Sequence, residues 1–311
     1  MKIAKRHARP RLSWSSMLNN LIAHRVRREK ADLSFALANS DSIRRTASGL
    51  GPDGTKIDPR AGARMVVNIS SAHIPALCAA SAQGRTNAYK NCYDLDPTLS
   101  TISANRLLVD AALPLRAGTK AAQMYFGALE MSGIGVRFYG DVCLVLKREA
   151  VPQDTIILDR NSYDLVRSPH AQLVAATVPA AQEQARRTIL RNWSGQWDKD
   201  LAAIAAIKAI NVLGLRNRRW TTGQISAAVR DDEDYIEVLK AGSFGVADLQ
   251  EARISAADAA HDALVHSRVA TGSAPRFEAL LWSDRRRSAE KALREAGVPL
   301  NIVVGSGRTR D

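Results

Sequence analysis

The residue best placed to do chemistry is Glu237, in the stretch Asp234-Tyr-Ile-Glu-Val-Leu-Lys-Ala-Gly-Ser-Phe. A carboxylate here interrupts an apolar, β-branched run, and Gly242-Ser243 breaks that run five residues later. Such a glutamate is either an outward-facing residue on a sheet edge or an acid held in a partly desolvated cleft. In the second setting a fixed negative charge stabilises positive charge that develops as a bond breaks.

Other kinds of site are poorly served. No Gly-x-Gly-x-x-Gly lies at a strand–helix junction, and no phosphate loop ends in Gly-Lys-Ser/Thr. Gly49-Leu-Gly-Pro-Asp-Gly is glycine-rich but carries a proline and precedes no helix. There is no Gly-x-Ser-x-Gly elbow. The six histidines are scattered without a His-x-x-x-His pair, so no metal is expected. Cys78, Cys92 and Cys143 include no Cys-x-x-Cys, which fits a reducing compartment better than a disulfide framework.

The elements that must position Glu237 follow from pattern. Arg64-Met-Val-Val-Asn-Ile-Ser reads as the opening strand, and helices are expected over 72–81 and 98–111, the latter capped by Ser100 or Thr101. Met124-Tyr-Phe-Gly-Ala-Leu-Glu is a short aromatic and small-residue segment. Strands are expected over 138–147 and 155–159, with Pro152 and Asp154 turning them into a hairpin-like pair. Helical patterns cover 180–190 and 199–213. After the Glu237 strand come a strand over 249–254, helices over 256–267 and 283–296, and a last strand over 299–304. No regular βαβα alternation appears, so the fold class is α+β.

Charge divides the chain. The first 60 residues hold four Lys and nine Arg against five acids, so +8 of the net +13 falls there. Residues 1–55 are therefore expected to be a basic appendage, in keeping with a bacterial export signal, and 56–311 the working domain. No apolar run approaches the roughly 18–20 residues that cross a bilayer, and no secretory signal is expected, so the chain is read as soluble with no membrane partner.

The Glu237 strand with its Gly-Ser corner resembles the third signature of the ADP-ribosyltransferases. Upstream, Met124-Tyr-Phe-Gly-Ala-Leu and Gly135-Val-Arg-Phe-Tyr-Gly-Asp-Val-Cys-Leu-Val-Leu-Lys are similar to a bacterial domain family whose opening strand would be Arg64-Met-Val-Val-Asn-Ile-Ser. Arg, aromatic-Gly and Glu in that order most resemble effectors that ADP-ribosylate a threonine of ubiquitin, over residues 62–255.

The resemblance implies a split mixed β-sheet core with flanking helices, and NAD as substrate without a metal. It also implies secretion into a host cytoplasm, with ubiquitin as a host protein partner whose conjugation is blocked. In that reading Glu237 takes a hydrogen bond from the ribose 2′-hydroxyl and stabilises an oxocarbenium-like state. Arg64 pairs with the pyrophosphate. Phe126 stacks on nicotinamide, with Gly127 admitting the backbone and Tyr125 or Tyr139 as other walls. Asn68 and Ser70 would line the site. Arg64 as a solvated strand start and Phe126 as plain core packing are the competing readings of those residues.

Tyr235 stands two residues before Glu237, where arginine-modifying members carry a second acid, and this favours a hydroxyl acceptor. The other readings are an NAD glycohydrolase, an ADP-ribosylase of another target such as nucleic acid, and a nucleic-acid-binding protein. The last would use the basic arm with Trp193, Trp197, Trp220 and Arg216-Asn-Arg-Arg-Trp, although no recognised nucleic-acid motif accompanies them.

Overall fold

A computed structural model describes residues 63–80, 83–130, 133–158, 160–163, 179–201, 204 and 235–304. The basic arm, residues 202–203 and 205–213 of the 199–213 helical pattern, and the Arg216-Asn-Arg-Arg-Trp stretch with Trp220 lie outside the described residues.

Eight strands build one sheet: β1 Arg64–Ile69, β2 Met124–Glu130, β3 Val142–Leu146, β4 Ile156–Leu158, β5 Ser194–Gln196, β6 Glu237–Ala241, β7 Leu249–Ser255 and β8 Leu300–Val303. Their order is β5-β4-β6-β2-β1-β3-β7-β8. Every neighbour is antiparallel except β7–β8. That parallel pair needs a crossover, which two helices supply: α5 Ala256–Ala270 and α6 Phe277–Glu295. The other helices among the described residues are α1 Ile74–Cys78, α2 Cys92–Leu95, α3 Ala104–Ala111 and α4 Pro179–Asn192. The fold is thus α+β, an open mixed sheet with helices on both faces.

Strand alternation sorts side chains into two layers. Met65, Val67, Tyr125, Leu129, Leu144 and Val238 enter the main core, which α6 closes with Ala289 and Leu293. The other face holds two smaller clusters. One gathers Met124, Leu158 and Leu239 under Val109 of α3 and Leu190 of α4, and the second gathers Val66, Ala128, Val145 and Tyr235.

Three local expectations give way to tertiary contacts. β3 and β4 form no hairpin, because β3 lies between β1 and β7 while β4 lies between β6 and β5. Phe138 and Tyr139 sit in a 3-10 turn ahead of β3, which begins only at Val142. Asp141 is drawn away from strand pairing to accept the Ser71 backbone N–H at 2.7 Å. Helix α3 is capped by Ser103, which accepts the Arg106 N–H at 3.2 Å, because Thr98, Ser100 and Thr101 are all hydrogen-bonded to Asp96.

The feature that makes room for a site is the β1–β2 pairing. These strands pair only at Arg64↔Glu130, Met65↔Leu129 and Val66↔Ala128. Beyond that point Val67, Asn68 and Ile69 pair with β3, and Met124 to Gly127 pair with β6. The two strands therefore diverge like a wedge. At its apex Gly127 meets β1 so closely that a Cβ would lie 2.5 Å from the Val66 carbonyl oxygen and 2.9 Å from Met65 Cε. Gly127→Ala should force β1 away and lower stability by about 1–3 kcal/mol, read as a reduced denaturation midpoint with unchanged slope. An unaltered midpoint would show that the apex tolerates a methyl group.

Candidate functional site

The wedge opens into a cavity of about 510 Å³, lined on one side by Val66 and Asn68 and on the other by Phe126 and Ala128. This volume is within the ordinary range for small-molecule sites. Residues 101–103 and Arg106, ahead of and within α3, also line it, as do Tyr89, Tyr139, Tyr235 and Glu237.

Glu237 heads β6 and lies in the cross-strand row Glu251–Val145–Val66–Ala128–Glu237–Leu158–Ser194. Its direct neighbours in that row, Ala128 and Leu158, are both apolar. The carboxylate is 2 % exposed, and Oε2 accepts the backbone N–H of Ser162 at 2.8 Å. Burial pushes the Glu237 pKa above the usual carboxylate value, while the Arg106 guanidinium and then the hydroxyl and backbone N–H of Ser162 pull against that rise.

Arg106 is held on two sides. Its Nε donates to Asp110 Oδ2 at 3.0 Å, one helical turn on, and its Nη2 lies 2.7 Å from Oδ1, close but off the hydrogen-bond line. Its guanidinium carbon sits 4.0 Å from the Phe126 ring centroid. Burial alone would lower its pKa, but Glu237 and Asp110 outweigh that effect and raise it. Asp110 also takes the Tyr93 hydroxyl, so its own orientation is fixed. One cation thus answers two carboxylates.

A second polar chain ends at the cavity mouth. The Tyr139 and Tyr235 hydroxyls are 3.2 Å apart, and Asn161 Nδ2 donates to the Tyr235 oxygen at 2.6 Å. Tyr235 is buried, whereas Tyr139 is 54 % exposed.

Of the residues singled out from sequence, Glu237, Phe126, Gly127, Asn68 and Tyr139 line this cavity. Arg64, Tyr125 and Ser70 do not. Arg64 lies at the paired end of β1, where Nε donates to Gln250 Oε1 at 2.9 Å and Nη1 to the Ala63 carbonyl at 3.1 Å. Tyr125 points to the opposite face by strand alternation. Its hydroxyl donates to Asp94 at 2.8 Å, and its ring meets those of Tyr89 and Phe244 edge-on. Ser70 Oγ caps the 3-10 turn that follows β1, accepting the Ala72 N–H at 3.3 Å.

Two of the residues that do line the cavity are already engaged. Asn68 spends its amide on the 134–140 loop: Nδ2 donates to the Ile134 and Gly140 carbonyls and Oδ1 accepts the Val136 N–H. One face of Phe126 is covered by Arg106. Arg106, Asp110, Asn161 and Ser162 were not among the expected site residues. Arg106 and Asp110 are visible in sequence only as an Arg-x-x-x-Asp pair on a short helix.

The tryptophans do not form a nucleic-acid surface among the described residues. Trp197 is buried in the main core, and Trp193 packs against the Leu158–Leu190 cluster beside Arg160. Among the described residues, no helix is long and apolar enough to cross a membrane, and no group of three or more His, Cys, Asp and Glu is placed to hold a metal ion. Comparison with protein-family models, curated proteins and solved structures returned no match to the chain.

The raised Glu237 pKa has a consequence for stability. A carboxyl group whose pKa is higher folded than unfolded stabilises the fold at low pH, and that contribution is lost as pH rises through the folded value. Glu237→Gln removes the titration and keeps an acceptor for the Ser162 N–H. It should melt higher than wild type at pH 8, with the gap closing towards pH 4. A variant that melts lower at both pH values would show that the ionised form is the better accommodated one.

Proposed function

We propose that the chain is a mono-ADP-ribosyltransferase that binds NAD in the wedge between β1 and β2, an ADP-ribosyltransferase-like split of the sheet, and uses Glu237 at its floor. The observation that carries this reading is a buried carboxylate that lines a cavity and has one oxygen tied to a backbone N–H. A ribose 2′-hydroxyl donating to Oε1 would place the anomeric carbon beside a fixed negative charge. As the bond to the nicotinamide nitrogen breaks, its electron pair leaves with the ring, which becomes neutral, and the sugar carbon becomes cationic. Glu237 stabilises that cation only when ionised.

Arg106, rather than Arg64, is the arginine suited to the cavity. Opposed by Asp110 and Glu237 together, it serves chiefly to keep Glu237 anionic against burial. Phe126 presents an apolar wall that the nicotinamide ring would share with the Arg106 guanidinium. The acceptor oxygen attacks the anomeric carbon from the mouth and loses its proton as the new bond forms. Tyr235 supports a hydroxyl acceptor, since a phenol stands where a second carboxylate would serve a guanidinium. Resemblance to the ubiquitin-modifying effectors makes a ubiquitin threonine the acceptor of choice, with the chain acting inside a host cell.

Incubation with labelled NAD and a cell lysate tests the reading. Wild type should label a protein band, and Glu237→Ala should lower labelling by about 10²–10³-fold, the scale for losing one transition-state electrostatic partner. Equal labelling by both, or no turnover of NAD by either, would remove it. Purified ubiquitin should gain one ADP-ribose unit that survives hydroxylamine, and an unmodified ubiquitin would remove that acceptor alone.

Loss of Arg106 should leave only Ser162 to oppose burial at Glu237. In Arg106→Gln the acid limb of the pH–rate profile should therefore move to higher pH, because ionisation of Glu237 is needed for activity. An acid limb that stays in place would mean that Arg106 acts elsewhere in the reaction.

A further inference from the structure

The hydrogen-bond chain at the cavity mouth has a direction that neighbouring groups fix. Asn161 Oδ1 accepts the backbone N–H of Tyr163 at 2.8 Å, so the amide cannot be flipped, and its Nδ2 must face Tyr235. The Tyr235 oxygen is therefore an acceptor from Asn161, and its own proton is available to the Tyr139 oxygen, 3.2 Å away. The Tyr139 proton then has no partner among the described residues and points away from Tyr235. Tyr139 lines the cavity and is half-exposed, whereas Tyr235 is buried. Desolvation also holds the Tyr235 pKa well above its ordinary value, so the donor order persists across neutral pH.

The setting makes this donor specific. The 3-10 turn carrying Tyr139 is anchored on both sides: Arg137 donates twice from Nη2 to Asp258 of α5, at 2.9 and 2.7 Å, and Asp141 accepts the Ser71 N–H. Phe138 stands exposed beside it, with its ring 5.1 Å from that of Tyr139. A neutral O–H donor on a fixed turn, with the Glu237 carboxylate deeper in the same cavity, suits an uncharged oxygen acceptor. Anionic oxygens would instead seek Arg106.

We infer that Tyr139, oriented by Tyr235 and Asn161, is a specificity-determining residue that donates a hydrogen bond to an uncharged oxygen of the substrate at the cavity mouth. This rests on the proposed NAD reaction. The oxygen is a carbonyl or hydroxyl belonging either to the nucleotide or to the acceptor side chain, and kinetics separate the two. Tyr139→Phe removes only the hydroxyl from an exposed ring, so the fold is retained. Asn161→Asp keeps the acceptor for Tyr163 but cannot donate, so Tyr235 turns its proton to the new carboxylate and Tyr139 turns its own to Tyr235. Both variants should therefore withdraw the same donor, and the double variant should lose no more than either single one.

The test measures NAD hydrolysis without acceptor, and label transfer to protein in a cell lysate, for wild type and the three variants. Loss of one neutral hydrogen bond predicts an effect of about three- to tenfold. If KM for NAD rises by that factor with kcat held, the oxygen belongs to the nucleotide. If hydrolysis is unchanged and transfer falls by that factor, it belongs to the acceptor. Wild-type rates for Tyr139→Phe in both arms, or losses in Tyr139→Phe and Asn161→Asp that multiply in the double variant, would overturn the inference while leaving the NAD reaction in place. A wild-type chain that consumes no NAD would overturn both.

Discussion

A carboxylate sealed between apolar sheet neighbours is costly unless something holds it there, and the arrangement around Glu237 is organised by that cost. Val66 and Ala128 on one side and Leu158 on the other offer it no polar partner. The compensation comes from outside the row, as a backbone N–H from Ser162 and a guanidinium from Arg106. Each of those partners is itself tied down, Arg106 by Asp110 and Asp110 by Tyr93. Asn161, the neighbour of Ser162, is fixed by Tyr163 and Tyr235. A core serving stability alone would place an aliphatic residue at 237 and dispense with these supports.

The wedge between β1 and β2 is the second requirement. A fully paired sheet would cover Glu237 with side chains on both flanks and leave no cavity. Pairing that ends at Val66↔Ala128 lets the strands part, while the close contact at Gly127 keeps them joined at the apex. The loop from 134 to 140 is stitched to the β1 side of the opening by Asn68, and the α5–α6 pair braces the same loop through Arg137 and Asp258. The helices of the β7–β8 crossover thereby reach the cavity mouth without lining it.

Much of this was legible in sequence, for local reasons. β-branched runs marked β1, β3 and β6, whereas Tyr125 and Phe126 both read as walls of the site until β2 placed them on opposite faces. Glu237 stood out because a charge in such a run is unusual. Arg106 did not, because its meeting with Glu237 spans 131 positions and depends on how α3 docks over β2 and β6. Arg64 looked suitable as the arginine at the head of a strand, yet strand direction sets it at the closed end of the wedge, where Gln250 and Ala63 engage it. Phe138 and Tyr139 read as strand residues by composition, and the Asp141 contact to Ser71 decided otherwise. Local propensity located the strands, and the long-range pairing decided which of their residues share a cavity.

The central claim, that the wedge is an NAD site built on Glu237, is tested most directly by a crystal structure of Glu237→Gln grown with NAD. The account predicts the nicotinamide-bearing ribose at the head of β6, its 2′-hydroxyl within hydrogen-bond distance of the residue at 237, and the nicotinamide ring against Phe126. A dinucleotide bound elsewhere, or an empty wedge at saturating NAD, would contradict it.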